Sequence, residues 1–506
     1  MLSHLSRLPL FLHMVAISGL LMFVPAIVAS MQNDDFVARM FFYSAVFVVF
    51  VSTLIAMAIS GTRPAPRTID HLLALLSGFT VLPVILALPF YEALETTTFL
   101  NAYFEMVSSL TTTGATVFSQ PERLAPALHL WRGMVGWMGG LMMWIAASAV
   151  FAPLSLGGFE VTARGEPGQA VSGGGQMQRA APMKRWVRGA RALVPVYAGL
   201  TLAIWVMLMV LGDTPLVSLM HAMSTMATSG ISPVGGVQYG QSGLAGEAVI
   251  FLFLLFALSR TTFSADTGAV RRESLLLDPE FRMGMMIVVA VPTLLFLRHW
   301  VGAYEVDDVS NTSAALKSAW GGLFTVLSFL TTTGFESGEW GVARDWSGLS
   351  SSGLILLGLA VVGGGVATTA GGVKLLRVYA LYLQGLGEME RLVHPNVVVG
   401  SRGGGARRIR RRGAVIAWVF FMLFAISLAA ITAVLAALGS DFEEALILSI
   451  AALTTTGPLT QIAGEAPIDL LVLGGWEKLV LGAAMVLGRL ETLAIIALLS
   501  PDLWRK

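Results

Sequence analysis

Leu110-Thr111-Thr112-Thr113-Gly114, Met226-Ala227-Thr228-Ser229-Gly230, Leu330-Thr331-Thr332-Thr333-Gly334 and Leu453-Thr454-Thr455-Thr456-Gly457 are four versions of one short stretch. Three carry an identical Thr-Thr-Thr-Gly, and the second is a near copy. Each closes a short apolar segment and opens a polar loop. Similarity at a wide spacing points to an architecture of repeated units before any residue chemistry is read.

The surrounding composition says where those units sit. The chain has 506 residues, of which 55% are hydrophobic and 12% charged, with a mean hydropathy of +0.76. A soluble protein carries about a quarter charged residues. Many apolar runs reach about 20 residues, enough to cross a hydrocarbon core of about 30 Å. An integral membrane protein follows. The formal net charge of +1 implies no overall attraction to nucleic acid. With no cysteine there is no disulfide or thiolate-metal chemistry. The seven histidines are scattered and form no paired metal motif. No clustered acid/base set suggests an enzyme.

Two spans, about 9–30 and 40–60, come first and are read as an N-terminal hairpin, residues 1–62. The first of them could instead be a signal peptide cleaved near Val28-Ala29-Ser30, but it is long for one and a second span follows at once. The rest divides into four pore repeats, 63–158, 159–275, 276–390 and 391–506. Each reads as span, short apolar segment, Thr/Gly turn, span. The paired spans are about 71–94 and 128–154, 192–212 and 246–268, 281–303 and 348–384, and 413–438 and 470–499. The short segments, about 97–112, 215–228, 313–332 and 442–455, begin with helix-start signals. These are Thr214-Pro215, Ser313, and Asp441 with Glu444 in a capping-box spacing. At about 1.5 Å per residue the segments are marginal or too short to span, so they read as re-entrant. Their non-helical ends are tolerable at membrane depth only if buried in protein or lining a water-filled cavity.

Lys and Arg crowd the loops 61–70, 160–191, 271–282 and 374–412, the last with Arg407, Arg408 and Arg410 to Arg412. Acids such as Asp34, Asp35, Glu122, Glu305, Asp307, Asp308, Glu336 and Glu339 occupy the opposite loops. The positive-inside rule makes the basic loops cytoplasmic. Ten spans then put both termini in the cytoplasm and all four turns on the outer side. The Arg407–Arg412 cluster suits a topogenic stop, or contact with anionic lipid or a partner.

The short helices point their partially negative C-terminal ends at the turns, which favours a cation. Backbone carbonyls and Thr or Ser hydroxyls can replace an alkali cation's hydration shell. The turns hold no carboxylate, so a divalent cation is disfavoured. In repeat three the last span is interrupted: Gly363 to Gly372 contains five glycines and two threonines. It reads either as a kinked, closely packed helix or as an unwound loop under the turns. Arg489 lies deep in the last span, too costly there unless it faces a polar cavity or a partner. Glu491, two residues on, is poorly placed to pair with it on one helix. Arg260 with Asp266 reads as a structural pair, and Glu105 within the first short segment has no assigned role.

These stretches, with Gly363-Gly364-Gly365-Val366-Ala367-Thr368-Thr369-Ala370-Gly371-Gly372-Val373-Lys374 and Gly488-Arg489-Leu490-Glu491, resemble the Trk/Ktr/HKT superfamily of potassium transporters. Within it the chain resembles the bacterial Trk-type pore subunit, with its extra N-terminal hairpin. The resemblance covers essentially the whole chain. It implies an all-α polytopic membrane protein with four membrane–pore–membrane repeats around a pseudo-fourfold pore. The implied selectivity filter and K+-binding residues are Thr112, Thr113, Gly114, Thr228, Ser229, Gly230, Thr332, Thr333, Gly334, Thr455, Thr456 and Gly457. The implied gate comprises Gly363, Gly364, Gly365, Thr368, Thr369, Gly371, Gly372, Lys374 and Arg489. Gly114 stands where a serine accompanies sodium transport in the plant branch, so potassium is expected. Sodium or non-selective cation transport, or ion-coupled symport, remains the alternative. Further implications are a homodimer in the bacterial cytoplasmic membrane and a cytosolic ring of nucleotide-binding Rossmann domains on the basic face. The potassium ion is the only ligand implied; no organic cofactor is called for in this chain.

Overall fold

The computed structural model describes residues 8–59, 68–152, 158, 182–259, 275, 278–301, 312–349, 351–394 and 411–491. Among these residues the chain is helical, without strands. Arg63, Arg67, Arg260, Asp266, Glu305, Asp307, Asp308 and Arg407 to Arg410 lie outside them.

In chain order the helices are α1 (Leu10–Met31), α2 (Asp35–Ile59), α3 (Ile69–Ala93), α4 (Phe99–Leu110) and α5 (Pro126–Phe151). Then follow α6 (Met183–Val210), α7 (Pro215–Ala227), α8 (Gly243–Leu258), α9 (Pro279–Val301) and α10 (Thr312–Leu330). The remainder are α11 (Trp340–Ser347), α12 (Ser352–Val362), α13 (Leu375–Val393), α14 (Arg411–Leu438), α15 (Phe442–Leu453), α16 (Leu459–Ile462) and α17 (Gly475–Leu490). Eight helices among the described residues are long and apolar enough to span: α1, α2, α3, α5, α6, α9, α10 and α14. The sequence led us to expect ten spans. The difference lies in α8, described to Leu258 only, in α12, broken at Gly363, and in α17, described to Leu490. Conversely α10, read as a short segment, has 19 residues and is long enough to span, yet it ends at a Thr/Gly turn like the others.

One packing scheme recurs four times. A long helix lies on the short helix that follows it: α3 on α4, α6 on α7, α9 on α10, α14 on α15. The short helix then packs on the next span: α4 on α5, α7 on α8, α10 on α12, α15 on α17. That span also touches the following short helix, in the pairs α5–α7, α8–α10 and α12–α15, and α17 returns to α4. The last contact closes the order into a cycle. The hairpin α1–α2 lies outside it, against α3 and α5.

The helix starts are set by ordinary capping chemistry, though not always where the sequence suggested. Thr98 caps α4, its hydroxyl accepting from the Asn101 N–H at 3.3 Å, a cap the sequence reading missed. Thr214 is extended with Pro215 at the first helical position, but its side chain makes no cap bond. Asp441 is likewise extended and uncapped by its side chain, so the expected box with Glu444 does not form. Two like charges one turn apart oppose the reciprocal closure that a Ser or Thr would permit. Ser313 falls inside α10 instead of at its cap.

Candidate ion pathway

The four short helices end in the same pair of bonds. Thr112 N–H donates to Ser109 O at 2.9 Å and Thr113 N–H to Ser108 O at 2.8 Å. The counterparts are Thr228 to Thr225 (3.3 Å) with Ser229 to Ser224 (3.0 Å), and Thr332 to Phe329 (3.1 Å) with Thr333 to Ser328 (2.9 Å). In the fourth turn they are Thr455 to Ala452 (3.3 Å) and Thr456 to Ala451 (2.9 Å). This is the Schellman ending, whose left-handed residue is usually glycine. Here that residue is threonine every time: Thr112, Thr228, Thr332 and Thr455 have φ of 56°, 48°, 56° and 54°. A left-handed β-branched residue costs roughly 1–2 kcal/mol and persists only where its surroundings over-determine it.

Hydroxyl use differs around the four turns. Thr111 Oγ1 donates to Val107 O at 2.8 Å and lies 2.8 Å from Thr113 Oγ1. Thr331 and Thr454 repeat this with Leu327 O and Thr333 Oγ1, and with Ile450 O and Thr456 Oγ1. Those hydroxyls are turned into their own helix ends. The second turn cannot copy the pattern, because Ala227 has no hydroxyl. Ser229 Oγ pairs there with Ser224 Oγ at 3.1 Å.

The turns meet in a closed order. A methyl group added at Gly114 would sit 1.9 Å from Ser229 O; at Gly230, 2.3 Å from Thr333 O; at Gly334, 2.7 Å from the Pro458 ring. At Gly457 it would sit 2.0 Å from Ala115 N, and Gly457 N–H donates to Thr113 O at 2.6 Å. Turn one thus touches two, two touches three, three touches four and four touches one. Gly457 alone of the four lacks a left-handed φ, so close approach is what requires glycine there.

Gly363 to Lys374 is non-helical, so the reading of a kinked continuous helix does not describe it. Its neck is tight: a methyl at Gly363 would come within 2.8 Å of Gly372 Cα. Val373 and Lys374 N–H donate to Val361 O and Val362 O, both at 2.9 Å, which ties the two limbs together. The loop tip lies against three of the turns. Thr228 Oγ1 donates to Thr369 Oγ1 at 3.0 Å, and Gly371 N–H donates to Thr332 Oγ1 at 2.7 Å. A methyl at Gly371 would meet Thr454 O at 2.1 Å. Of the four left-handed threonines, two therefore hold the loop. The hydroxyls of Thr112 and Thr455 are buried with no hydrogen-bond partner among the described residues.

Charged side chains brace the same loop. Arg489 Nη1 donates to Thr369 O at 2.6 Å, while its Nε and Nη2 make no hydrogen bond among the described residues. Lys374 Nζ donates to Ala370 O at 2.8 Å, and Glu280 Oε1 accepts from Val366 N–H at 3.0 Å. Glu491 does not pair with Arg489. It pairs with Arg377 at 2.6 Å, and that guanidinium also stacks 3.7 Å over Phe420. Arg377 is fully buried and escaped the sequence reading, although an arginine between apolar residues was a signal that could have found it. Glu105 is also fully buried. Its carboxylate pairs with Arg132 at 2.6 Å and accepts from Val117 N–H and the Thr116 hydroxyl, just beyond Gly114. No three His, Cys, Asp or Glu side chains are grouped to hold a metal among the described residues.

Taken together, the spanning helices, the closed set of helix C-termini and the oxygen-lined turns define a multi-pass membrane protein of the cation-transport class. The family model described as TrkH, cation transport protein, matches residues 248–506. The Trk system potassium uptake protein TrkH of Vibrio parahaemolyticus is 30% identical over 97% of each chain. Its counterpart from Escherichia coli is 28% identical over 96% of each. The crystal structure of the potassium transporter TrkH from Vibrio parahaemolyticus superposes with a TM-score of 0.81, at 27% identity over 99% of each chain. The chain belongs to the TrkH family.

Proposed function

We propose that this protein carries potassium into the cell across the cytoplasmic membrane by gated, channel-like permeation. The relatives' names supply the ion. The observation that carries the mechanism is the cyclic contact of the four turns, each at the end of a short helix and free of carboxylates. Carbonyl oxygens at Thr112–Gly114, Thr228–Gly230, Thr332–Gly334 and Thr455–Gly457 form the filter that strips the ion's water. The Gly363–Lys374 loop, pressed against the turns and held by Arg489, is the gate. A guanidinium with unspent donors in the pathway raises the barrier to a cation, and withdrawal of loop and charge lowers it. The relatives are named as parts of a Trk system, which supports a regulatory partner; its docking on the basic cytoplasmic face and a homodimeric assembly belong to the same proposal.

Complementation of a potassium-uptake-deficient bacterium tests the reading. Gly334→Ser forces a side chain against Pro458 at a left-handed position, so growth at low potassium or discrimination against sodium is lost. Normal transport by that variant would remove the filter assignment. Arg489→Ala raises flux; unchanged flux would remove its gating role. Sodium flux equal to potassium flux in the unaltered protein would favour a non-selective pathway instead.

A further inference from the structure

Behind the turns runs a second, unequal set of contacts. In three of the four short helices the residue nine positions before the glycine bonds the loop two or three positions after it. Glu105 accepts from Val117 N–H at 3.1 Å and Thr116 Oγ1 at 3.2 Å. His221 Nε2 lies 2.9 Å from Ser232 Oγ. Thr325 Oγ1 accepts from Ser337 N–H at 3.3 Å. In the fourth unit the position is Leu448, buried and apolar, and Thr460 Oγ1 donates back to Gly457 O at 2.9 Å instead.

The third brace is the longest and is reinforced from outside its own unit. Glu247, near the start of α8 and 3% exposed, uses both carboxylate oxygens on unit three. Oε2 accepts from Ser337 Oγ at 2.7 Å and Trp320 Nε1 at 2.8 Å, and Oε1 accepts from Gly338 N–H at 2.7 Å. Ser337 and Gly338 lie three and four residues after Gly334, in the limb of the loop that leaves the turn. Hydrogen bonds to a charged acceptor are shorter and about twice as strong as neutral ones. In a buried setting it resists displacement of the limb.

We propose that Glu247 and Glu105 are positioning residues for ion discrimination. They touch no ion. Each holds the limb outside one filter glycine, so the spacing of the carbonyls in turns three and one cannot shrink around a smaller, more strongly hydrated cation. The inference rests on the potassium reading above and adds residues that the filter sequence does not contain.

The test is paired rubidium and sodium influx into vesicles containing the purified full-length protein, with the apparent melting temperature recorded for every variant. Glu247→Gln, Ser337→Ala and Glu105→Gln lower the rubidium-to-sodium ratio about fivefold or more, chiefly by raising sodium entry. Lys317→Ala removes only the exposed pair with Glu339 beside the same loop and leaves the ratio as in the unaltered protein. A merely structural role would lower both fluxes together with the melting temperature and keep the ratio. If a carboxylate variant does not accumulate as folded protein, Ser337→Ala, the smallest change, decides. Unaltered ratios in folded Glu247→Gln and Ser337→Ala overturn the brace alone. Equal rubidium and sodium flux in the unaltered protein overturns the potassium reading, and the brace with it.

Discussion

Thr455 carries two unfavourable features at once. Its φ of 54° costs roughly 1–2 kcal/mol for a β-branched residue, and its hydroxyl is buried with no partner among the described residues. Leaving a polar group so placed costs about 1–3 kcal/mol more. Thr112 shares both features, whereas Thr228 and Thr332 use their hydroxyls on the loop tip. We expect Thr455→Gly to melt no lower than the unaltered protein, since glycine suits the left-handed position, while potassium uptake falls. A variant that melts lower and transports normally would make the threonine purely structural. The Thr-Thr-Thr-Gly string was legible as a turn in the sequence. Which of its residues turns left-handed was not, because that depends on the helix-end bonds to residues three and five positions back.

At the scale of elements, the short helices were readable because an apolar segment followed by Thr and Gly must stop. The interruption at Gly363 to Gly372 was equally visible in composition. What fixes the loop in place was not, since its anchors come from α7, α9, the turn after α10, and α17. The Arg377–Glu491 pair joins α13 to the end of α17 across more than a hundred residues of chain. Removing one member of a buried pair leaves the other charge unpaired, at about 3–5 kcal/mol. Arg377→Met therefore lowers the apparent melting temperature sharply. Arg377→Met with Glu491→Leu recovers most of the loss, because an apolar pair of similar volume needs no desolvation. Equal melting temperatures for single and double variants would show that the two side chains are not energetically coupled.

For the whole molecule, ring closure is the property that matters. The contact of α17 with α4 and that of Gly457 with Ala115 bring the last unit back to the first. For orientation, the positive-inside rule predicts cytoplasmic basic loops and hence both termini in the cytoplasm. A fluorescent protein that matures only in the cytoplasm, fused after Lys506, should fluoresce; a dark fusion with activity in a periplasmic phosphatase fusion would reverse the assignment.

The sequence by itself determined that the chain lives in a membrane, that short helices end in four Thr/Gly turns, and that the unit-three span is interrupted. Those are local properties, set by apolar run length, by breakers and by composition over a few turns of chain. Only the tertiary structure decided that the turns touch in cyclic order, that Glu491 answers Arg377 and not Arg489, and that Glu247 of one unit holds the loop of the next. The physical reason is that a buried charge must find its partner in space. The carboxylate that satisfies Ser337 and Gly338 stands about ninety residues earlier in the chain, where no periodicity could announce it.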